Sequence, residues 1–145
     1  VTYPDPFHVL LVEDDAGDVL LVREALDEED GRPTRVHVAR DGAEALAFLR
    51  REGEHAGAPR PRLVLLDLNL PGVDGREVLA RVKADESLRT IPVVVLTSSS
   101  ADQDLLTSYG LHANAYVTKP VEPEDFIAAV RLVDGFYATV AKLPR

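Results

Sequence analysis

"LVLLDLNLPGVDG" runs from Leu63 to Gly75. Its first five residues, Leu63 to Asp67, read as a buried strand, yet that strand ends on a carboxylate and a Pro-Gly turn follows at once. An acid at the tip of so apolar a strand is costly unless its neighbours offset the charge. The fold class follows from how often the chain repeats this pattern, and the function from which residues stand beside that acid.

Short apolar runs alternate with helix-length segments along the whole chain. "FHVLLV" (Phe7–Val12) is the first strand, "TRVHVAR" (Thr34–Arg40) the second, "LVLLD" the third, "IPVVVLT" (Ile91–Thr97) the fourth and "NAYVT" (Asn114–Thr118) a short fifth. Between them "DVLLVREALDEE" spaces Val19, Val22 and Leu26 along one helical face. "DGAEALAFLRREG" is an amphipathic helix that Gly53 can end. "GREVLARVKAD" and "ADQDLLTSYG" are the third and fourth helices. "EPEDFIAAVRLVDGFYATVAKL" is the last, with Pro123 and acids at its start as a helix N-terminus prefers.

Strands that are solidly apolar are buried on both faces, so helices must cover both sides of a parallel sheet. The expectation is an α/β protein, a three-layer (βα)5 flavodoxin-like sandwich with strand order 2-1-3-4-5. One domain accounts for residues 1–145, with its core from about 7 to 140 and short tails at both ends.

The totals exclude several partners. Sixteen basic residues against 25 acidic ones leave a net charge of −9, which repels nucleic acid and anionic membrane. There is no cysteine, so disulfides, thiol chemistry and cysteine-held metals are out. No apolar run approaches a membrane span and the first residues do not form a signal peptide, so a cytoplasmic setting is expected.

In a parallel sheet the strand ends share one edge. Glu13, Asp14 and Asp15 follow the first strand, Asp67 ends the third, Thr97 the fourth, and Lys119 follows the fifth. Each alone has an ordinary explanation: a helix cap, a turn residue, a β-former, a surface charge. Together they form a set of hard oxygens, a hydroxyl and an ammonium. Glu13, Asp14 and Asp67 suit Mg²⁺ (or Mn²⁺), which takes one or two carboxylates and keeps waters. Spare coordination positions suit a phosphoryl group, with Thr97 and Lys119 contacting its other oxygens. Asp67 is left as a nucleophile towards phosphorus, the phosphoacceptor.

Other classes fit less well. Asp67-x-Asn69 opens like a calcium loop, but Pro71 and Val78 stand where such a loop needs ligands. "VEDDAGD" would repel the phosphate of FMN, and no Walker motif occurs. A Mg²⁺-dependent aspartyl-phosphate phosphatase would want a general acid where the chain has Asn69. It stays as an alternative, together with a degenerate module that only binds partners.

With these residues in place, the chain resembles the CheY-like receiver domain of two-component response regulators. "LLVEDD", "LLDLNLPGVDG", "VVVLTSS" and "AYVTKP" carry the likeness, from Phe7 to about Val140. The resemblance implies a phosphoacceptor signalling protein, not an enzyme in its own right, which takes phosphate on Asp67 from a sensor histidine kinase. It implies Glu13 and Asp14 as the acidic pair, a metal ligand from the Asn69 backbone carbonyl, and Tyr116 as a rotating aromatic switch. It raises the expectation of a cis Lys119–Pro120 bond. Asn69 and Ser99 are the side chains implied to modulate dephosphorylation. "EDDAGDVLLVREAL" and "VDGFYATVAKLP" are similar to the small receivers that partner bacterial phytochrome kinases. That narrower likeness implies a phytochrome-type donor and a homodimer through the fourth helix, fifth strand and fifth helix. The four histidines read as ordinary surface or strand residues.

Overall fold

The computed structural model describes residues 6–26, 33–98, 100–108 and 110–137. Five strands and five helices alternate: β1 (Phe7–Val12), α1 (Ala16–Leu26), β2 (Thr34–Ala39), α2 (Gly42–Arg50), β3 (Leu63–Asp67), α3 (Gly75–Ala84), β4 (Val93–Thr97), α4 (Ser100–Ser108), β5 (Ala115–Thr118) and α5 (Pro123–Gly135). The strands form one sheet in the order β2-β1-β3-β4-β5, and every pairing is parallel. This is the architecture expected from the alternation.

The two faces explain the strand composition. Leu10, Val12, Val64, Leu66, Val93 and Val95 point to one side and pack with Leu46 of α2, Val78 of α3 and Leu106 of α4. Val9, Leu11, Leu63, Leu65, Val94 and Leu96 point to the other and meet Val19 of α1 with Phe126 and Val130 of α5. Central strands β3 and β4 are buried at every position, and the edge strands β2 and β5 are not. Truncating a central leucine such as Leu66 would cost about 2–5 kcal/mol.

Element ends differ from the sequence reading for local reasons. α1 begins at Ala16 because Asp15 caps it, its Oδ1 accepting from the Asp18 amide at 3.0 Å. β4 begins at Val93, since Pro92 has no amide to give the ladder. α2 ends before Gly53: Arg51 itself turns left-handed (φ 56°), and the amides of Arg51 and Glu52 close on Phe48 and Ala47. Every peptide bond among the described residues is trans, which corrects the expectation of a cis Lys119–Pro120 bond. The trans chain already carries the Lys119 ammonium to the acids. Val140 and Ser99 lie outside the described residues, as does the remainder of the long last helix.

Candidate functional site

The strand ends do converge. Glu13 follows β1, and its amide continues the ladder by donating to the Ala39 carbonyl at 2.9 Å. Asp67 closes β3 and is only 5% exposed. Its Oδ1 accepts from the Asn69 amide at 3.0 Å, so the turn after the strand fixes the carboxylate. Gly72 takes a left-handed φ of 68° within that turn. Gly75 then starts α3 against the strand end, where a Cβ would overlap the Asp67 carbonyl oxygen. Asp74 caps the helix by accepting from the Glu77 amide at 3.0 Å.

Lys119 is held in line by its own backbone, whose amide donates to the Thr97 carbonyl at 2.7 Å. Its Nζ donates to Asp18 at 2.8 Å, to Glu13 at 2.9 Å and to Asp67 at 3.3 Å. Burial alone would lower this ammonium. The hydrogen bonds and charges of Asp18, Glu13 and Asp67 outweigh burial and hold it well above the usual lysine range. Glu13 is 1% exposed. Burial, reinforced by neighbouring Asp67, pushes its carboxyl up to about 7 against the opposing pull of Lys119.

Glu13, Asp14 and Asp67 each offer a carboxylate oxygen, and these lie within 4.8 Å of one another. Glu13 and Asp67 are buried and Asp14 faces solvent. Buried acids that repel one another beside a solvent-facing third form a donor set that fits a hard divalent cation such as Mg²⁺ or Mn²⁺. Asn69 stands beside this set through its amide. Asp15 is occupied as the cap of α1.

Thr97 is buried at the end of β4, and its hydroxyl donates to Asp102 of α4 at 2.8 Å. Tyr116 pairs in register with Val95 and packs partly buried on the core, its hydroxyl accepting from the Ala113 amide at 3.1 Å. A small cleft between α3 and α4 is lined by Leu68, Asn69, Arg76, Asp102 and Leu105, so it includes the acid that Thr97 bonds and the two residues that follow Asp67.

Sequence reasoning missed Asp18 and Asp102. Both are first-turn acids. Such acids ordinarily signal helix termini, and nothing local says that they reach across to Lys119 and Thr97. Three of the four histidines lie near one another: His8 and His37 are hydrogen-bonded at 3.0 Å, and the rings of His37, Phe48 and His55 follow one another at 5.2 and 5.4 Å.

The family model described as the response regulator receiver domain matches residues 9–131. Response regulator Rcp1 of Synechocystis sp. is 45% identical over 139 residues, which covers 96% of this chain and 94% of that protein. A crystal structure of the phosphorylated cyanobacterial phytochrome response regulator RcpA superposes with a TM-score of 0.90 at 46% identity, covering 97% of this chain and all of the other. The Mn²⁺-bound form of Rcp1 superposes with a TM-score of 0.88 at 44% identity, again over 97% of this chain and all of the other.

Proposed function

The chain belongs to the response regulator receiver domain family, and on that premise we propose that Asp67 is its phosphoacceptor, served by a sensor histidine kinase of the phytochrome type. The observation that carries the reading is the setting of Asp67. It is a strand-end carboxylate fixed by the Asn69 amide, with Glu13 and Asp14 close by and the Lys119 ammonium 3.3 Å away.

In the reaction an Asp67 carboxylate oxygen attacks phosphorus. The bond to the kinase's histidine nitrogen breaks and its electron pair leaves with the imidazole. Glu13, Asp14, Asp67 and the Asn69 carbonyl would hold Mg²⁺ or Mn²⁺, which supplies charge neutralisation at the phosphoryl oxygens when bound. Lys119 offers an N–H to one phosphoryl oxygen and Thr97 its hydroxyl to another. Water later attacks phosphorus, the bond to Asp67 breaks, and inorganic phosphate leaves as the carboxylate is restored. Asn69 and Ser99 are the side chains proposed to tune that last step. The protein thereby assists its own phosphorylation and dephosphorylation while acting as a signal carrier and not as an enzyme. The cytoplasm, where such kinases present phosphohistidine, is the setting this role requires.

Thr97 links the modification to the surface. To reach the phosphoryl group its hydroxyl must leave Asp102, which frees α4 at its first turn. Tyr116 then rotates into the space that Thr97 vacates, a two-position element biased by local charge. The output surface is α4, β5 and α5, proposed to pair with a second copy of this chain. Leu132 on α5 at 77% exposure and Phe136 just past its end at 50%, with Leu105 of α4, support that reading.

The phytochrome partner is supported by RcpA, described as a phytochrome response regulator, at 46% identity. The test is phosphotransfer. A labelled phytochrome-type histidine kinase should lose its phosphoryl group to this chain and not to its Asp67→Asn variant. Transfer to both would refute the assignment of residue 67.

A further inference from the structure

Asp18 forms the shortest ion pair of the site, 2.8 Å from the Lys119 Nζ, although 101 residues separate the two in sequence. Lys119 has three N–H donors, and Asp18, Glu13 and Asp67 accept one each. Two of these acids belong to the convergent cation-holding group and Asp18 does not. Nor does Asp18 cap α1, because Asp15 already accepts from its amide. Its carboxylate is therefore available to reach across the site from α1, and of the three contacts to the ammonium the one to Asp67 is the longest at 3.3 Å.

We propose that Asp18 is a positioning residue that restrains Lys119, competing for its ammonium with the phosphoryl group on Asp67 and so setting how tightly the modified state is held. The inference rests on the phosphoacceptor reading of Asp67. A phosphoryl group adds oxygens beyond the Asp67 carboxylate, and Lys119 must extend to meet them. Asp18 is partly open to water, with a side chain 28% exposed, so its hold can be exchanged rather than locked. Every helix-side pull on Lys119 works against the phosphoryl contact. Glu13 cannot serve as the adjustable partner, since it is buried and belongs to the cation group.

The test uses the full chain and beryllofluoride, an acyl-phosphate mimic, at saturating Mg²⁺ so that changes in cation affinity do not enter. Asp18→Asn and Asp18→Ala should each bind the mimic roughly two- to fivefold more tightly than the parent, the range for a partly exposed ion pair. One bound fluorine resonance, that of the atom facing Lys119, should shift in the ¹⁹F spectrum while the others hold. Unchanged or weaker binding in both variants, or tighter binding with no ¹⁹F shift, overturns the restraint. A purely structural tie between α1 and the end of β5 would lower thermal stability and leave both readouts in place. If the parent binds no mimic, or Asp67→Asn binds it as well as the parent does, the phosphoacceptor reading fails first and takes this inference with it.

Discussion

The Thr97 hydroxyl donates to the Asp102 carboxylate at 2.8 Å, bridging the end of β4 and the first turn of α4. A buried hydroxyl hydrogen-bonded to a charged acceptor contributes more than a neutral pair does. Asp102→Ala should therefore destabilise the unmodified protein by about 1–2 kcal/mol. The loss should shrink when beryllofluoride and Mg²⁺ are bound, because Thr97 then has another acceptor. Denaturant unfolding with and without the mimic measures both. An equal loss in the two states would separate Asp102 from the phosphorylation cycle.

Tyr116 carries the second prediction. Its hydroxyl is tied locally, to the Ala113 amide, and its ring is partly buried on the core. Tyr116→Ala should accept phosphate normally and lose the coupling of phosphate to the α4-β5-α5 surface. Sedimentation at several concentrations, with and without the mimic, reads that coupling. A variant that self-associates on modification as the parent does would refute the switch, and a parent that stays monomeric throughout would refute the proposed dimer.

Glu13 gives a pH-dependent prediction. Its carboxyl is pushed up to about 7, mainly by burial and secondly by Asp67, so the folded protein favours the neutral acid. The contribution of this group is fully present below the ordinary value of 4.5 and is lost as pH rises through about 7. Without a divalent cation, Glu13→Gln should be more stable than the parent at pH 8, by on the order of 1–3 kcal/mol. The advantage should fade towards pH 5. Added Mg²⁺ should reverse the order at pH 8, since only the parent keeps the full acid set. Thermal unfolding across pH, with and without Mg²⁺, checks all three points.

His37 should act in the opposite direction. Burial, followed by the charges of His8, Arg35 and Arg23, lowers its pKa below the usual 6.5. A depressed base contributes stability above its unfolded value and loses it as pH falls towards the folded one. The unfolding midpoint of the parent should thus drop more between pH 7 and pH 5 than that of His37→Gln. Equal drops would show that the His8–His37 bond tolerates a second proton.

Much of this was legible in the sequence because the sheet is parallel. Once Leu63–Asp67 and Val93–Thr97 are recognised as strands buried on both faces, the residues after each strand must share an edge, and Glu13, Asp67, Thr97 and Lys119 come together without further information. What stayed hidden depends on contacts that no local pattern encodes. Asp18 reaches Lys119 across 101 residues, and its first-turn position looks like an ordinary helix-terminal acid. Asp102 is hidden in the same way in α4. Glycine is the usual left-handed terminator, which points to Gly53, whereas Arg51 takes that conformation two residues earlier and ends α2.

The central claim is that Asp67 takes up phosphorus with the help of a divalent cation. Incubation with a small-molecule phosphodonor and Mg²⁺, followed by intact mass, tests it most directly. One phosphoryl group should add to the chain, and none should add in Asp67→Asn or in the presence of a chelator. An unmodified parent, or equal modification of the Asp67→Asn variant, would contradict the account.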